Sequence, residues 1–408
     1  MDILIIADDL SGAADCAVAF ARTGQRTVVA LQPSTPEADV ILAFDTDTRR
    51  LPAAEAARRT REVYEAARRR GQRLYKKIDS TLRGNWAAEV AALRQPAGLA
   101  IVAPAYPAMG RTVRDAQVHV DGRALADTEL WKLEHAHRPA AIDAQLQEAG
   151  LQTARLEADA LRDRPEEMSA RITAAASDEI GALIVDAQFE QTLRTLAQVT
   201  ADSKAPFFWV GSAGLAREIA GLRPARAAPE LAPASGPTLV LVGSLSAVTD
   251  RQCRVLRASG AFQELVVPPS LLRQGRSHPD WPSLHARIGE VLVAGADLLL
   301  RIGREQALDP SEGALFATAL ARLVGPHFAR VGALIATGGE TARAMLVEAG
   351  IASVELLAEL QTGVAAGMPS RGHAHRPYIV TKAGGFGSDE TLYDAWTRLR
   401  SPRSRTPQ

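Results

Sequence analysis

The chain has 408 residues, 47% hydrophobic and 23% charged, which is too long for one ordinary core and too apolar for a disordered polymer; two domains of about 150–250 residues each are expected. Its 47 basic and 47 acidic residues cancel, which argues against a general nucleic-acid or membrane-surface binder but leaves room for a local positive field around a small anion. With Cys16 and Cys253 the only cysteines, neither a disulfide framework nor a cysteine zinc site is expected.

Ile3–Ala7 is a short apolar run ending in Asp8-Asp9, followed by Ser11-Gly12 and Ala13–Arg22: a buried strand, a polar loop and a helix. The opening MDILIIADD carries no basic leader, and no apolar run approaches the roughly 18 residues of a membrane span, so a cytoplasmic protein is expected. Thr27–Leu31 and Val40–Phe44 read as strands, Pro52–Arg70 as an exposed helix, Leu74–Ile78 as a strand and Asn85–Leu93 as a helix. Leu99–Ala103, Ile180–Val185 and Phe207–Val210 continue the strands. Residues 223–237, RPARAAPELAPASGP, have no periodic apolar face and read as a linker.

The pattern then restarts. Thr238–Val242, Ala296–Leu300, Ala333–Ala336 and Tyr378–Thr381 read as strands, and Val248–Ala258, Thr341–Ala349 and Asp389–Leu399 as helices. The tail from Ser401 is polar. Alternating strands and helices imply an α/β protein: two α/β domains with mostly parallel sheets, 1–222 and 238–408, joined by the linker, with an active-site cleft between them.

Open α/β sheets bind ligands where strands end and helices begin, and helix N-termini favour anions. Five such junctions carry unusual residues, the fifth split between residues 337–341 and 382–388. Asp8-Asp9-Leu10-Ser11-Gly12 offers carboxylates to substrate hydroxyls or Mg²⁺, beyond what a helix cap needs. Lys76-Lys77-Ile78-Asp79-Ser80-Thr81-Leu82-Arg83-Gly84-Asn85 gathers ammonium, carboxylate, hydroxyl and guanidinium groups at one turn. Tyr106 and Arg111 lie in a proline-stiffened loop. In the second half, Gly243-Ser244, Thr337-Gly338-Gly339-Glu340-Thr341 and Lys382-Ala383-Gly384-Gly385-Phe386-Gly387-Ser388 are polar or glycine-rich turns after strands, suited to a polyphosphate. No Walker P-loop, no G-x-G-x-x-G opening a first βα turn and no G-x-S-x-G elbow is present. The His135/His137 and His373/His375 pairs read as surface loops, and no metal site is expected from protein ligands.

The ordered segments ADDLSGAADCA, KKIDSTLRGN, APAYPAMGR, VGSAGLA, VGSLSAVTDRQ, TGGETA and KAGGFGSDE resemble the four-carbon acid sugar kinases over residues 3–395. That resemblance implies an N-terminal acid-sugar domain, a C-terminal ATP domain, and phosphorylation of the terminal hydroxyl of a tetronate. The form ADDLSGAAD leans toward D-threonate or D-erythronate, with 3-oxo-tetronate as the alternative. In this reading Asp8, Asp9, Ser11, Lys77, Asp79, Ser80, Arg83, Tyr106 and Arg111 bind the substrate, Arg83 and Lys77 taking its carboxylate. Asp79 or Asp9 accepts the proton. Ser244, Gly338, Gly339, Glu340, Thr341, Gly384, Gly385 and Gly387 bind ATP, with Mg²⁺ on its phosphates; Lys382 is either a phosphate ligand or a strand-end charge. The partners are then the acid sugar and ATP, with a homodimer as a further expectation. A kinase of another small sugar acid, a two-lobed sugar-acid sensor and a nicotinamide dehydrogenase are the rival readings.

Overall fold

The computed structural model describes residues 2–32, 40–129, 131–132, 138–177, 179–224, 229–244, 246–305, 309 and 312–400. Part of the linker (225–228), His135, His137, Leu245 and the tail from Ser401 lie outside these residues. The chain divides into two units, Met1–Arg26 with Gln32–Ala227, and Thr27–Leu31 with Ala228–Gln408.

In chain order the strands are β1 (Asp2–Ala7), β2 (Thr27–Ala30), β3 (Ile41–Asp45), β4 (Gln72–Lys77), β5 (Leu99–Ala103), β6 (Arg111–Arg114), β7 (Gln117–Val120), β8 (Arg123–Ala124), β9 (Thr153–Leu156), β10 (Ala182–Val185) and β11 (Phe207–Gly211). They continue with β12 (Thr238–Val242), β13 (Phe262–Val267), β14 (Asp297–Ile302), β15 (Ala333–Thr337), β16 (Ser353–Gln361), β17 (Val364–Pro369) and β18 (Tyr378–Lys382).

The first unit holds a parallel sheet in the order β3-β1-β4-β11-β5-β10-β9. Strands β5, β10 and β11 and residues Ile3–Ala7 of β1 are continuous apolar runs because both faces are covered by helices, whereas the central β4 ends in the buried Lys76 and Lys77. Leu10–Ala21 packs on Ala213–Gly221, and Ala53–Ala67 packs on Trp86–Ala97. From β1 the chain leaves toward β3, whereas from β4 it leaves toward β5, so the strand order reverses between β1 and β4. A crevice at the carboxyl ends of two such strands is the usual ligand position in this architecture. Strands β6, β7 and β8 form a small separate antiparallel sheet.

The second unit carries β13-β14-β12-β15-β18-β17-β16-β2. The first five strands are parallel; β17, β16 and β2 join antiparallel. Here the order reverses between β12 and β15. The sequence reading kept all of 1–222 together, but β2 pairs with β16, Thr27 opposite Leu356 and Ala30 opposite Ser353. Nothing in the local pattern of TVVA encodes a partner more than 300 positions away. Among the described residues, no helix is long and apolar enough to cross a membrane.

Candidate active site

At the switch point of the first unit the chain places three carboxylates among three cations. Asp8 ends β1 and is buried, with 2% of its surface exposed. Arg49, from the loop after β3, grips it with Nε to Oδ2 at 2.7 Å and Nη2 to Oδ1 at 2.9 Å. The same Nη2 reaches Asp9 Oδ1 at 2.8 Å. Burial alone would raise the Asp8 carboxyl, but Arg49, helped by Lys76 and Lys77, holds it below the ordinary carboxylate range. Arg49 is the residue that sequence reading missed. Its signal was a polar run, Asp45-Thr46-Asp47-Thr48-Arg49, at the end of the strand next to β1.

Asp9 serves two purposes. Its Oδ1 caps the helix Leu10–Ala21 by accepting from the Gly12 amide at 3.1 Å, while among the described residues Oδ2 accepts no hydrogen bond. Gly12 is there because the packing is tight: a Cβ would lie 2.5 Å from Asp9 Oδ1 and 2.9 Å from Lys77 Nζ. Lys77 is therefore aimed at the helix N-terminus. It is nearly fully buried, yet among the described residues its ammonium makes no hydrogen bond. The neighbouring Ser11 hydroxyl is also buried without a hydrogen-bond partner among them. A lysine ammonium and a buried hydroxyl, both without a hydrogen bond among the described residues, at a helix N-terminus are groups able to receive an anion.

Asp79 is held differently. Its Oδ2 accepts from Arg83 Nε at 2.9 Å, the Thr81 amide at 3.1 Å and the Thr81 hydroxyl; its Oδ1 accepts from Arg83 Nη2 at 3.0 Å. Burial would raise this carboxyl, but Arg83, Arg49 and Lys77 together hold it well below the usual range. Arg83, expected to take the substrate carboxylate, here sets its Nε and Nη2 on Asp79. Ser80 lies buried in the same turn, which Leu82 closes at a φ of 58°.

The two adjacent lysines separate because successive strand residues face opposite sides of a sheet. Lys76 turns into the core and pairs with Glu89 of the helix Trp86–Ala97 at 2.7 Å, both side chains fully buried. The Thr48 hydroxyl donates to the other Glu89 oxygen, which ties the Arg49 loop to this pair. Glu89→Leu, which strands a buried ammonium, is expected to cost about 3–5 kcal/mol in urea unfolding. Adding Lys76→Met should recover most of that loss, and failure to recover it would show that the pair does more than neutralise itself.

Tyr106 and Arg111 follow β5, two strands from β4. Their backbones exchange hydrogen bonds at 2.7 and 3.1 Å. The Tyr106 hydroxyl accepts from Arg217 Nε at 2.6 Å, and Arg111 donates to the Met109 carbonyl. The hairpin that starts at Arg111 is anchored by Asp186, whose carboxylate accepts the amides of Asp115 at 2.8 Å and Ala116 at 3.0 Å across a two-residue turn.

In the second unit Ser244, Gly338–Thr341 and Gly384–Gly387 gather at the carboxyl ends of β12, β15 and β18. Gly338 caps the helix Gly339–Glu348, placing the Gly339, Glu340 and Thr341 amides in its first turn. Ser244 sits against Gly384, where a Cβ would collide with its hydroxyl. Ser246 caps the helix Ala247–Ala258 through the Thr249 amide and reaches across to the Gly384 carbonyl at 2.9 Å. Lys382 does not extend outward. Burial lowers its ammonium to about 8, and it donates to the carbonyls of Ala383, Gly384 and Phe386.

Residues 3–219 match the model of a sugar-binding N-terminal domain, and residues 239–392 that of a nucleotide-binding C-terminal domain. The chain is 46% identical to a D-threonate kinase of Cupriavidus necator, covering 99% of both chains, and 34% identical to a D-threonate kinase of Bordetella bronchiseptica, covering 98% of both. A crystal structure from Salmonella typhimurium LT2, provisionally named a tRNA synthase, superposes with a TM-score of 0.78 over 97% of this chain and 98% of that one; at 22% identity it speaks for the fold alone. With both domains matched along nearly the whole length, the chain belongs to the four-carbon acid sugar kinase family and is a small-molecule sugar-acid kinase.

Proposed function

We propose that this kinase transfers the γ-phosphoryl group of ATP to the terminal hydroxyl of D-threonate, binding the acid sugar in the first unit and the nucleotide in the second. The observation that carries the acid-sugar half is the buried Lys77 ammonium, without a hydrogen bond among the described residues, at a helix N-terminus beside Ser11. It calls for an anion of carboxylate size, while Asp8 and Asp9 beside it call for hydroxyls. The names of the two relatives supply the tetronate. An ATP-consuming step of this kind fits the cytoplasm.

In this reading Lys77 and Ser11 take the carboxylate, and Asp9 accepts the proton of the attacking hydroxyl through its open oxygen. The new O–P bond forms as the bond to the β-phosphate oxygen breaks, and ADP leaves. Asp79, Ser80 and Arg83 shape the wall, with Tyr106 and Arg111 farther along the sheet. Ser244, Gly338, Gly339, Glu340, Thr341, Gly384, Gly385 and Gly387 hold the phosphates through amides and hydroxyls. Mg²⁺ would be carried on the phosphates and water, where it would neutralise phosphate charge.

The test is ADP formation with D-threonate, D-erythronate and 3-oxo-tetronate as acceptors, with the product identified by phosphorus NMR. Highest kcat/KM for D-threonate with a 4-phosphate product is expected. A clear preference for 3-oxo-tetronate would move the substrate, and no turnover on any C4 acid would overturn the proposal.

A further inference from the structure

The side chain of Lys382 is fully buried at the end of β18. Its ammonium donates to the carbonyl oxygens of Ala383 at 2.8 Å, Gly384 at 3.2 Å and Phe386 at 2.9 Å. A lysine has three N–H donors, and here three carbonyls receive them, so nothing remains for a phosphate oxygen. The floor of the loop is completed from the helix Ala247–Ala258 and its cap. The Gly384 carbonyl also accepts from Ser246 Oγ at 2.9 Å and Thr249 Oγ1 at 2.8 Å. Gln252 Nε2 takes the carbonyls of Phe386 at 3.0 Å and Ser388 at 2.8 Å. Thr249 and Gln252 are themselves fully buried.

The consequence lies on the other side of the loop. Four carbonyls of the loop, those of Ala383, Gly384, Phe386 and Ser388, are engaged from beneath, while among the described residues the amides of Gly384, Gly385 and Gly387 donate to nothing. Peptide units whose oxygens face inward turn their N–H groups outward, which is the arrangement of an anion-binding nest. The space beside Gly385 is open, with no atom within 4 Å of where a Cβ would stand.

We propose that Lys382 is a positioning residue that orients the 383–388 loop for nucleotide phosphate from below, replacing the direct phosphate contact of a Walker lysine with an internal three-carbonyl clamp. This rests on the reading that the loop receives the nucleotide. The titratable group that bears on the ammonium is Cys253 of the helix Ala247–Ala258, whose thiol burial pushes up to about 11, so it stays neutral through the range tested. Lys382 itself, lowered to about 8 by burial, changes charge within that range and loses one of its three donors.

The test is ADP binding by calorimetry on the full chain, beside steady-state kinetics. Lys382→Met should weaken ADP and raise KM for ATP by about tenfold or more, the size of one to two lost hydrogen bonds, with KM for the acid sugar unchanged. Lys382→Arg, too large for the clamp, should not restore it. In the wild type ADP affinity should fall as pH rises through about 8, and that limb should be absent from Lys382→Met. If the wild type fails to bind ADP at all, the nucleotide reading itself falls. If it binds and the folded Met variant binds equally well, the positioning role is wrong. Should the variant not fold, a wild-type affinity that stays flat from pH 7 to about 9.5 overturns the role on its own.

Discussion

Asp9→Asn is expected to lower kcat by about 10²–10⁴-fold, the usual worth of a general base, with ADP affinity and unfolding midpoint unchanged. The substitution is close to isosteric. Asparagine caps a helix as well as aspartate does, so the Gly12 amide keeps its acceptor. What disappears is the carboxylate oxygen that accepts no hydrogen bond among the described residues and can take a proton, together with the charge facing Arg49, which keeps its two contacts to Asp8. Asp79 is a poor candidate for that task although it stands in the same group. Arg83, Arg49 and Lys77 hold its carboxyl well below the usual range, and one of its oxygens already accepts three hydrogen bonds. Asp79→Asn should instead loosen the turn that Arg83 and Thr81 hold, lowering stability by about 3–5 kcal/mol and raising KM for the acid sugar. Steady-state kinetics paired with urea unfolding separates the two roles. Near-normal kcat in Asp9→Asn, together with a lost kcat in a stably folded Asp79→Asn, would reverse the assignment.

Much of this site was legible because its chemistry sits directly after apolar runs. Ile3–Ala7, Leu74–Ile78, Thr238–Val242 and Ala333–Ala336 are strands buried on both faces, and a polar cluster that follows such a run has to emerge at the edge of a sheet. Side-chain direction was harder to read. Lys76 and Lys77 are identical in composition terms, yet the pleat sends one to Glu89 and the other toward Gly12 at a helix N-terminus; only a fixed strand register decides which. Arg49 escaped notice because its partners are 40 positions away and become neighbours only through the pairing of β1 with β3. The antiparallel edge of the second sheet was missed for a related reason. The irregular pairing of β16 with β17 breaks strict alternation, and β2 reaches that edge from a distant part of the chain. Lys382 was equally open to two readings until the loop carbonyls around it were visible.

Arg49→Ala should be the most damaging single change in the first unit. It leaves Asp8 with 2% of its surface exposed and without its bidentate partner, and removes a cation from beside Asp9 and Asp79. Stranding a buried charge of this kind costs about 3–5 kcal/mol, and the acid sugar would then meet a wall with excess negative charge. Arg49→Lys keeps the charge but cannot reproduce the fork on Asp8, so it should recover only part of the stability. The pH dependence distinguishes this from general damage. In the wild type the folded Asp8 carboxyl lies below its ordinary value near 3.8. Its contribution is therefore complete above that value and is lost as pH falls through the lower folded one. Without Arg49 only Lys76 and Lys77 oppose burial, the largest influence on Asp8, so the balance is expected to shift toward a raised carboxyl. The carboxylate would bind its proton more tightly folded than unfolded, and stability would rise on mild acidification instead of falling. Urea unfolding of Arg49→Ala between about pH 7 and pH 4 should show that rise relative to the wild type. Parallel pH profiles for the two proteins would mean that Arg49 does not set the charge state of Asp8.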